Sequence, residues 1–264
     1  MEEPCEPAAA RARWAAAADA GATGAVTSWG AGIGGRRHLR LYWEVDGDGA
    51  VPEGEDLAEE NWTPYWRQSL STAVVTPRVA LVPAWEEGVP PVAFVLRFDP
   101  GMAFGAGDHP TTRLCLGVLD DLANRGGLPE RALDVGTGTG VLALAVASMG
   151  ASEVDALDID PFGYAACRRN ARLNGLEGRV RPLLRSLDLL DDTYPLVMAN
   201  LVVGQLETLG PGLRERAEPG GLLLLSGFDE DAEGRVRDAV LRGAAVLDRR
   251  REEGWVALLA RHPE

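Results

Sequence analysis

The chain predicts an α/β fold: a doubly wound, mostly parallel, seven-stranded sheet ending in an antiparallel hairpin, preceded by a small α+β domain. Three observations carry that expectation. From about residue 110, strand-length apolar runs alternate with helix-length segments, the pattern of a parallel sheet covered on both faces. A glycine cluster, LDVGTGTGVLAL, joins the first of those runs to a helix. The last two apolar runs leave no room for a helix between them, so AAVLDRRREEGWVALLA must fold back on itself. Together these make the large domain Rossmann-like.

The predicted strands of that domain are 131–135, 153–158, 179–184, 194–200, 221–226, 244–249 and 254–260. Predicted helices fill 111–123, 139–149, 161–174, 203–217 and 229–240. Ahead of them, EPAAARARWAAAADA is rich in helix formers. AVTSWG and RRHLRLYWEV read as two strands about a glycine-rich turn, the second alternating at Leu39, Leu41 and Trp43. DGDGAVPEGED is a polar, acidic linker. LAEENWTPYWRQSL suits a short helix with Trp62 and Trp66 one turn apart, and the apolar runs VALVP and VAFVLRF follow. The expected division is a small α+β domain over 1–60, a connector and glycine-rich loop over 61–109, and the sheet domain over 110–264.

Composition narrows the function classes. Of the 264 residues, 46% are hydrophobic and 25% charged, as in soluble globular proteins. No uncharged apolar run approaches the roughly 18–20 residues that span a bilayer. The opening MEEPCEP is acidic where a secretory signal is basic, so the expected location is cytoplasmic, with no membrane partner. Cys5, Cys115 and Cys167 are far apart, as are His38, His109 and His262, so no metal site is expected. A net charge of −14 suits a basic protein partner or simple solubility and does not suit direct binding to nucleic acid. A monomer is expected. All 26 basic residues are arginine.

The chemistry is expected at the carboxyl ends of the strands. Asp134 closes the first strand, and Gly136, Gly138 and Gly140 follow as G-x-G-x-G. Glycine there serves a tight turn and the close approach of a ligand, and the next helix offers backbone N–H groups to an anionic group. A dinucleotide fingerprint would read G-x-G-x-x-G and want a small residue where Val141 stands, which weighs against a nicotinamide-dependent oxidoreductase. Asp158 ends the second strand, eighteen residues beyond Gly140, where a carboxylate can accept from two ribose hydroxyls. Pro161 makes Asp160 the expected N-cap of the next helix and leaves Asp158 as the ligand. Asn200 ends the fourth strand of the domain, where an amide can both donate and accept, or else close a turn.

These stretches, with DPGMAFGAGDHPTTR before them and ANLVVGQLETL after, resemble class I S-adenosylmethionine-dependent methyltransferases. More narrowly they resemble the PrmA family, which modifies protein eleven of the large ribosomal subunit. The resemblance spans roughly residues 60–264, and the loop before the first strand is its specific part. It implies S-adenosylmethionine as cofactor and a basic protein substrate, a ribosomal protein. It implies a loop folded over the methionine end of the cofactor, with Phe104 and Met102 as an apolar wall. Thr112 then stands at the cofactor-binding threonine, Gly136 at the cofactor-contacting glycine with Asp134 and Gly138 beside it, Asp158 at the ribose acid, and Asn200 near the transferred methyl. Thr111 or Thr112 can alternatively cap the helix after Pro110.

The chain departs from that family in two places. Its loop reads Gly105-Ala106-Gly107-Asp108-His109 where the family has G-T-G-H-H, and its first expected element is a helix where the family's front domain opens on a strand. The implied reaction is N-methylation of a lysine or an N-terminal amine. Asn200 orients the amine, and His109 is a candidate base with a structural hydrogen bond as its alternative. Asn200 is followed by Leu201, Val202 and Val203, not by the N-P-P-Y pattern used on planar base nitrogens. The remaining alternatives are a non-catalytic cofactor-binding protein and a methyltransferase for another substrate.

Overall fold

The computed structural model describes residues 24–31, 37–44, 70–100 and 109–264. The expected helix at 6–20, the expected short helix around Trp62 and Trp66, and loop residues Met102 and Phe104 lie outside those residues. The chain divides into two compact units, Met1–Trp62 and Thr63–Glu264. The first contains an antiparallel pair, β1 (Gly24–Ala31) and β2 (Arg37–Glu44), in register from Gly24↔Glu44 to Ala31↔Arg37.

The second unit is built on seven strands: β6 (Arg131–Val135), β7 (Glu153–Asp158), β8 (Val180–Leu184), β9 (Tyr194–Asn200), β10 (Ala217–Asp229), β11 (Ala245–Glu252) and β12 (Trp255–Arg261). They lie in the order β11-β12-β10-β9-β6-β7-β8. From β8 to β10 neighbours run parallel; β12 is antiparallel to both β10 and β11. The order reverses at β6, whose neighbours are β7 on one side and β9 on the other. Such a switch point splays the connections apart and opens a crevice at the carboxyl ends of the strands.

The apolar strands bury both faces. Along β9, Leu196 and Met198 point to one core while Val197 and Ala199 point to the other; along β10, Leu222 and Leu224 separate in the same way from Leu223 and Leu225. The first core is covered by α1 (Pro110–Asn124), α2 (Val141–Ser148) and α3 (Pro161–Leu173), through residues such as Leu116, Leu144 and Cys167. The second is covered by α4 (Val203–Arg216) and α5 (Glu233–Val240), through Leu206, Leu213, Val236 and Val240. This alternation is what a parallel sheet with helices on both faces requires.

The predicted boundaries shift where a local contact overrides the pattern. Helix α2 begins at Val141 and not at 139, because Gly140 at φ 85° cannot enter the helix. Helix α5 begins at Glu233 and not at 229, because the Asp229 carboxylate accepts the Ala232 N–H (2.9 Å) and holds a turn first. The expected C-terminal hairpin turns through Glu253 and Gly254, both at positive φ, the backbone of a tight primed turn. The segment expected as a connector carries a sheet of its own: β3 (Ala73–Thr76), β4 (Val79–Pro83) and β5 (Phe94–Phe98), in that order. Val79, Leu81, Leu96 and Phe98 are buried in the same core as α1 and α2.

Toward the amino ends of the large sheet, fully buried Asp155 on β7 is held by three donors. Arg181 on β8 grips it with two bonds of 2.6 Å, and the Tyr194 hydroxyl on β9 donates at 2.6 Å. A buried carboxylate is tolerated only with such partners. Tyr194→Phe should therefore lower unfolding free energy by about 2 kcal/mol, the cost of removing a donor from a buried charged acceptor. Urea denaturation measures it, and a loss below about 0.5 kcal/mol contradicts the role assigned to the hydroxyl.

Candidate active site

At the switch point lies a cavity of about 570 Å³, in the size range of small-molecule sites. Thr112, Asp134, Gly136, Gly138, Asp158 and Asn200, all expected from the sequence, border it together. They come from α1, β6, the turn after β6, β7 and β9.

The glycine turn is tied to the neighbouring strand. Gly136 N–H and Thr137 N–H both donate to Leu157 O, at 2.8 and 3.0 Å, and Gly140 N–H donates to Thr137 O at 2.9 Å. The protein itself enforces the glycines. At Gly136 φ is 71°, and a Cβ would stand 2.3 Å from Leu201 Cδ2; at Gly140 a Cβ would stand 2.7 Å from Cys167 Sγ. Cys115 and Cys167 are buried free thiols, consistent with core packing.

Asp134 is 2% exposed. It accepts Thr137 Oγ1–H at 2.7 Å and a backbone N–H from Ala143, so one donor at the start of α2 serves the chain's own carboxylate. Burial pushes its pKa up to about 6, opposed by those two hydrogen bonds. Asp158 is also raised, first by burial. Its Oδ2 accepts Gly138 N–H and its Oδ1 accepts Asp160 N–H, both at 2.8 Å. Asp160 caps α3 by accepting Phe162 N–H at 3.0 Å, dividing the two acids as expected. Asn200 Nδ2 donates to Thr112 Oγ1 at 3.4 Å, joining the tip of β9 to the first turn of α1.

His109 has another place. It, and neither Thr111 nor Thr112, is the N-cap of α1: Nδ1 accepts Thr111 N–H at 3.3 Å and lies 2.8 Å from Thr111 Oγ1. Its ring packs edge-on against Trp255, centroids 4.8 Å apart. It is not among the described residues that border the cavity. The alternative of a structural hydrogen bond is the one realised, because Pro110 at the first helical position leaves the Thr111 N–H to be capped. Among the described residues no group of acids, histidines and cysteines could hold a metal ion, and no helix is long and apolar enough to cross a membrane.

Other residues at the site carry no motif that names them. Gly163 gives Asp158 its space, since a Cβ there would lie 2.4 Å from Asp158 Oδ2. A glycine in the first turn of a helix, where most residues form helix better, was its only signal. Leu201 fills the gap over Gly136, and its own backbone requires Gly227, whose Cβ would stand 2.1 Å from Leu201 O. Arg185, Leu187 and Gln205 also border the cavity.

Known proteins share this chain's pattern. The sequence model of a family described as "Ribosomal protein L11 methyltransferase (PrmA)" matches residues 43–263. A ribosomal protein L11 methyltransferase of Syntrophotalea carbinolica is 40% identical over 210 residues, covering 79% of this chain and 68% of that protein. One of Symbiobacterium thermophilum is 37% identical over 238 residues, covering 86% and 77%. Among solved structures, ribosomal protein L11 methylase from Lactobacillus delbrueckii subsp. bulgaricus superposes with a TM-score of 0.66 at 29% identity, over 74% of this chain and all of that one.

The raised pKa of Asp134 has a consequence for stability. The folded protein holds that proton more tightly than the unfolded chain does. Asp134 thus favours folding below its ordinary pKa of 3.8, and the contribution is lost as pH rises through about 6. Across that window the unfolding free energy of the parent should fall relative to Asp134→Asn; a pH-independent difference in paired urea titrations contradicts it.

Proposed function

The chain belongs to the PrmA family of ribosomal protein L11 methyltransferases, which use S-adenosylmethionine, and from that premise we propose that its cavity binds this cofactor and that the acceptor is a lysine or N-terminal amine of ribosomal protein L11. The observation that carries the reading is the convergence of two burial-raised carboxylates, Asp134 and Asp158, on one cavity with the Thr112–Asn200 pair.

The residues suit the molecule. Its sulfonium and ammonium make it cationic, and a cation beside Asp134 and Asp158 supplies the positive partner that burial denies them. Leu157, Ile159, Leu187, Leu201 and Val202 offer an apolar wall for a flat base, and Asp158 at the strand tip accepts from ribose hydroxyls. S-adenosylmethionine supplies a methyl carbon made electrophilic by the sulfonium, which leaves as a neutral thioether.

The work left to the chain is positioning and exclusion of water. An amine with an ordinary pKa of about 10.4 must arrive neutral to attack. With Nδ2 donating to Thr112, the Asn200 side chain presents its carbonyl oxygen as the acceptor that orients the amine's N–H. His109 takes no part in this; the proton leaves to solvent or to the substrate's own surroundings. The unit before residue 63 is assigned to recognition of the protein substrate.

Asp158→Ala should weaken S-adenosylmethionine binding at least tenfold by calorimetry, since hydrogen bonds to a charged group contribute about 1.5–3 kcal/mol. Gly163→Ala, which crowds the same carboxylate, should do likewise without large loss of stability. Unchanged affinity in both contradicts the assignment of the ribose acid. Incubation with methyl-labelled cofactor and purified L11 should label L11; cofactor binding with no labelled protein, in L11 or in whole lysate, means a non-catalytic binding protein.

A further inference from the structure

Asn170 on helix α3 and Asn174, the cap at its C-terminal end, lie one turn apart and bind the outer edge of β5 and the residue that follows it. Asn174 Oδ1 accepts Arg97 N–H at 2.8 Å and its Nδ2 donates to Arg97 O at 2.6 Å. Asn170 repeats the arrangement one residue pair further on: Oδ1 accepts Asp99 N–H at 2.8 Å, and Nδ2 donates to Asp99 O at 3.2 Å. Each side-chain amide thus pairs with a backbone residue as the next strand of a sheet would.

Asn170 does one thing more. Its second Nδ2 hydrogen goes to Thr139 O, at 2.9 Å. Thr139 is 1% exposed, precedes Gly140 in the glycine turn, and borders the cavity. Asn170 itself is fully buried. Asparagine is a poor helix former and a poor choice for a core position unless its amide is satisfied. A buried helix face would be served better by alanine, as at neighbouring Ala166 and Ala171. The amide is therefore retained for what it joins.

We propose that Asn170 is a positioning residue for the cofactor, locking the Thr139 carbonyl of the glycine turn to the backbone of Asp99 where the chain leaves β5. The proposal rests on the cavity being the S-adenosylmethionine site. Asn170 does not touch the ligand. It sets the wall at Thr139 relative to the point from which the chain departs toward the next helix, two places 40 residues apart in sequence that the Asn170 amide joins. Asn174, which grips the same strand and does not reach the turn, is the internal control.

The test uses the full chain and S-adenosylmethionine as probe. Asn170→Ala, Asn170→Ser and Asn174→Ala should all reduce stability to urea. Only the Asn170 variants should raise the cofactor Kd, and its KM in L11 methylation, at least tenfold, with kcat at saturating cofactor within threefold of the parent. A folded Asn170 variant with parental Kd, or an equal loss in Asn174→Ala, overturns the proposal. Hydrogen exchange on the unaltered protein decides independently of whether the variants fold. Cofactor binding should slow exchange at the Asp99 amide together with Gly138 and Gly140, and leave the Arg97 amide unchanged; no slowing at Asp99 overturns it. Failure of the unaltered protein to bind the cofactor overturns the cofactor reading itself, whereas binding with an indifferent Asn170 overturns this proposal alone.

Discussion

The site depends on a tie between two strand ends. Gly136 and Thr137 both donate to the carbonyl of Leu157, so the turn after β6 is held against the last residues of β7. That tie brings Gly138 N–H to Asp158 and leaves Asp134 beneath the turn, with Thr137 folded back onto its carboxylate. Everything else at the cavity is arranged around this knot. Leu201 packs over Gly136, Gly163 clears space for Asp158, and Cys167 lies where a side chain at Gly140 would have gone.

The electrostatics follow from the same closeness. Two carboxylates sit in a place poor in water, each partly satisfied by neutral donors: a hydroxyl and an amide for Asp134, the amides of Gly138, Ile159 and Asp160 for Asp158. Neutral donors lower the cost of burying a charge without neutralising it. Both groups remain shifted toward the protonated form, first by burial, with Asp158 adding to the shift of Asp134 and Asp160 to that of Asp158. A cavity in that condition favours a cation. The opposite end of the sheet treats its buried acid differently: Asp155 has a guanidinium of its own and needs nothing further.

The edge of the sheet is closed by paired charges. The edge strand β11 places Arg249 and Arg251 against Glu230 and Glu233 on one side, and Arg250 against Asp121 on the other. An edge strand dressed with paired charges resists adding another strand. Helix α1 packs along the same edge: its residue Asp121 takes Arg250, and its cap, His109, leans on Trp255 at the start of β12, so the hairpin and the first turn that carries Thr112 support one another.

Much of this was readable from residue order alone. Alternation of strand and helix, the G-x-G-x-G turn, and acids and an amide at strand tips depend on neighbours within a few positions, where periodicity and turn chemistry act. They placed Asp134, Asp158 and Asn200 at the carboxyl rim. The tertiary structure decided what depends on distant partners. It made His109 the cap of α1, because Pro110 left an N–H to satisfy and Trp255 was there to pack on. It drew β3, β4 and β5 into the main core, since their short apolar runs say nothing about which surface will cover them. It gave Asn170 its bonds to Asp99, 71 residues away, and to Thr139, 31 away. A side chain's local pattern states that it is polar and helical; only the packed chain states which backbone it holds.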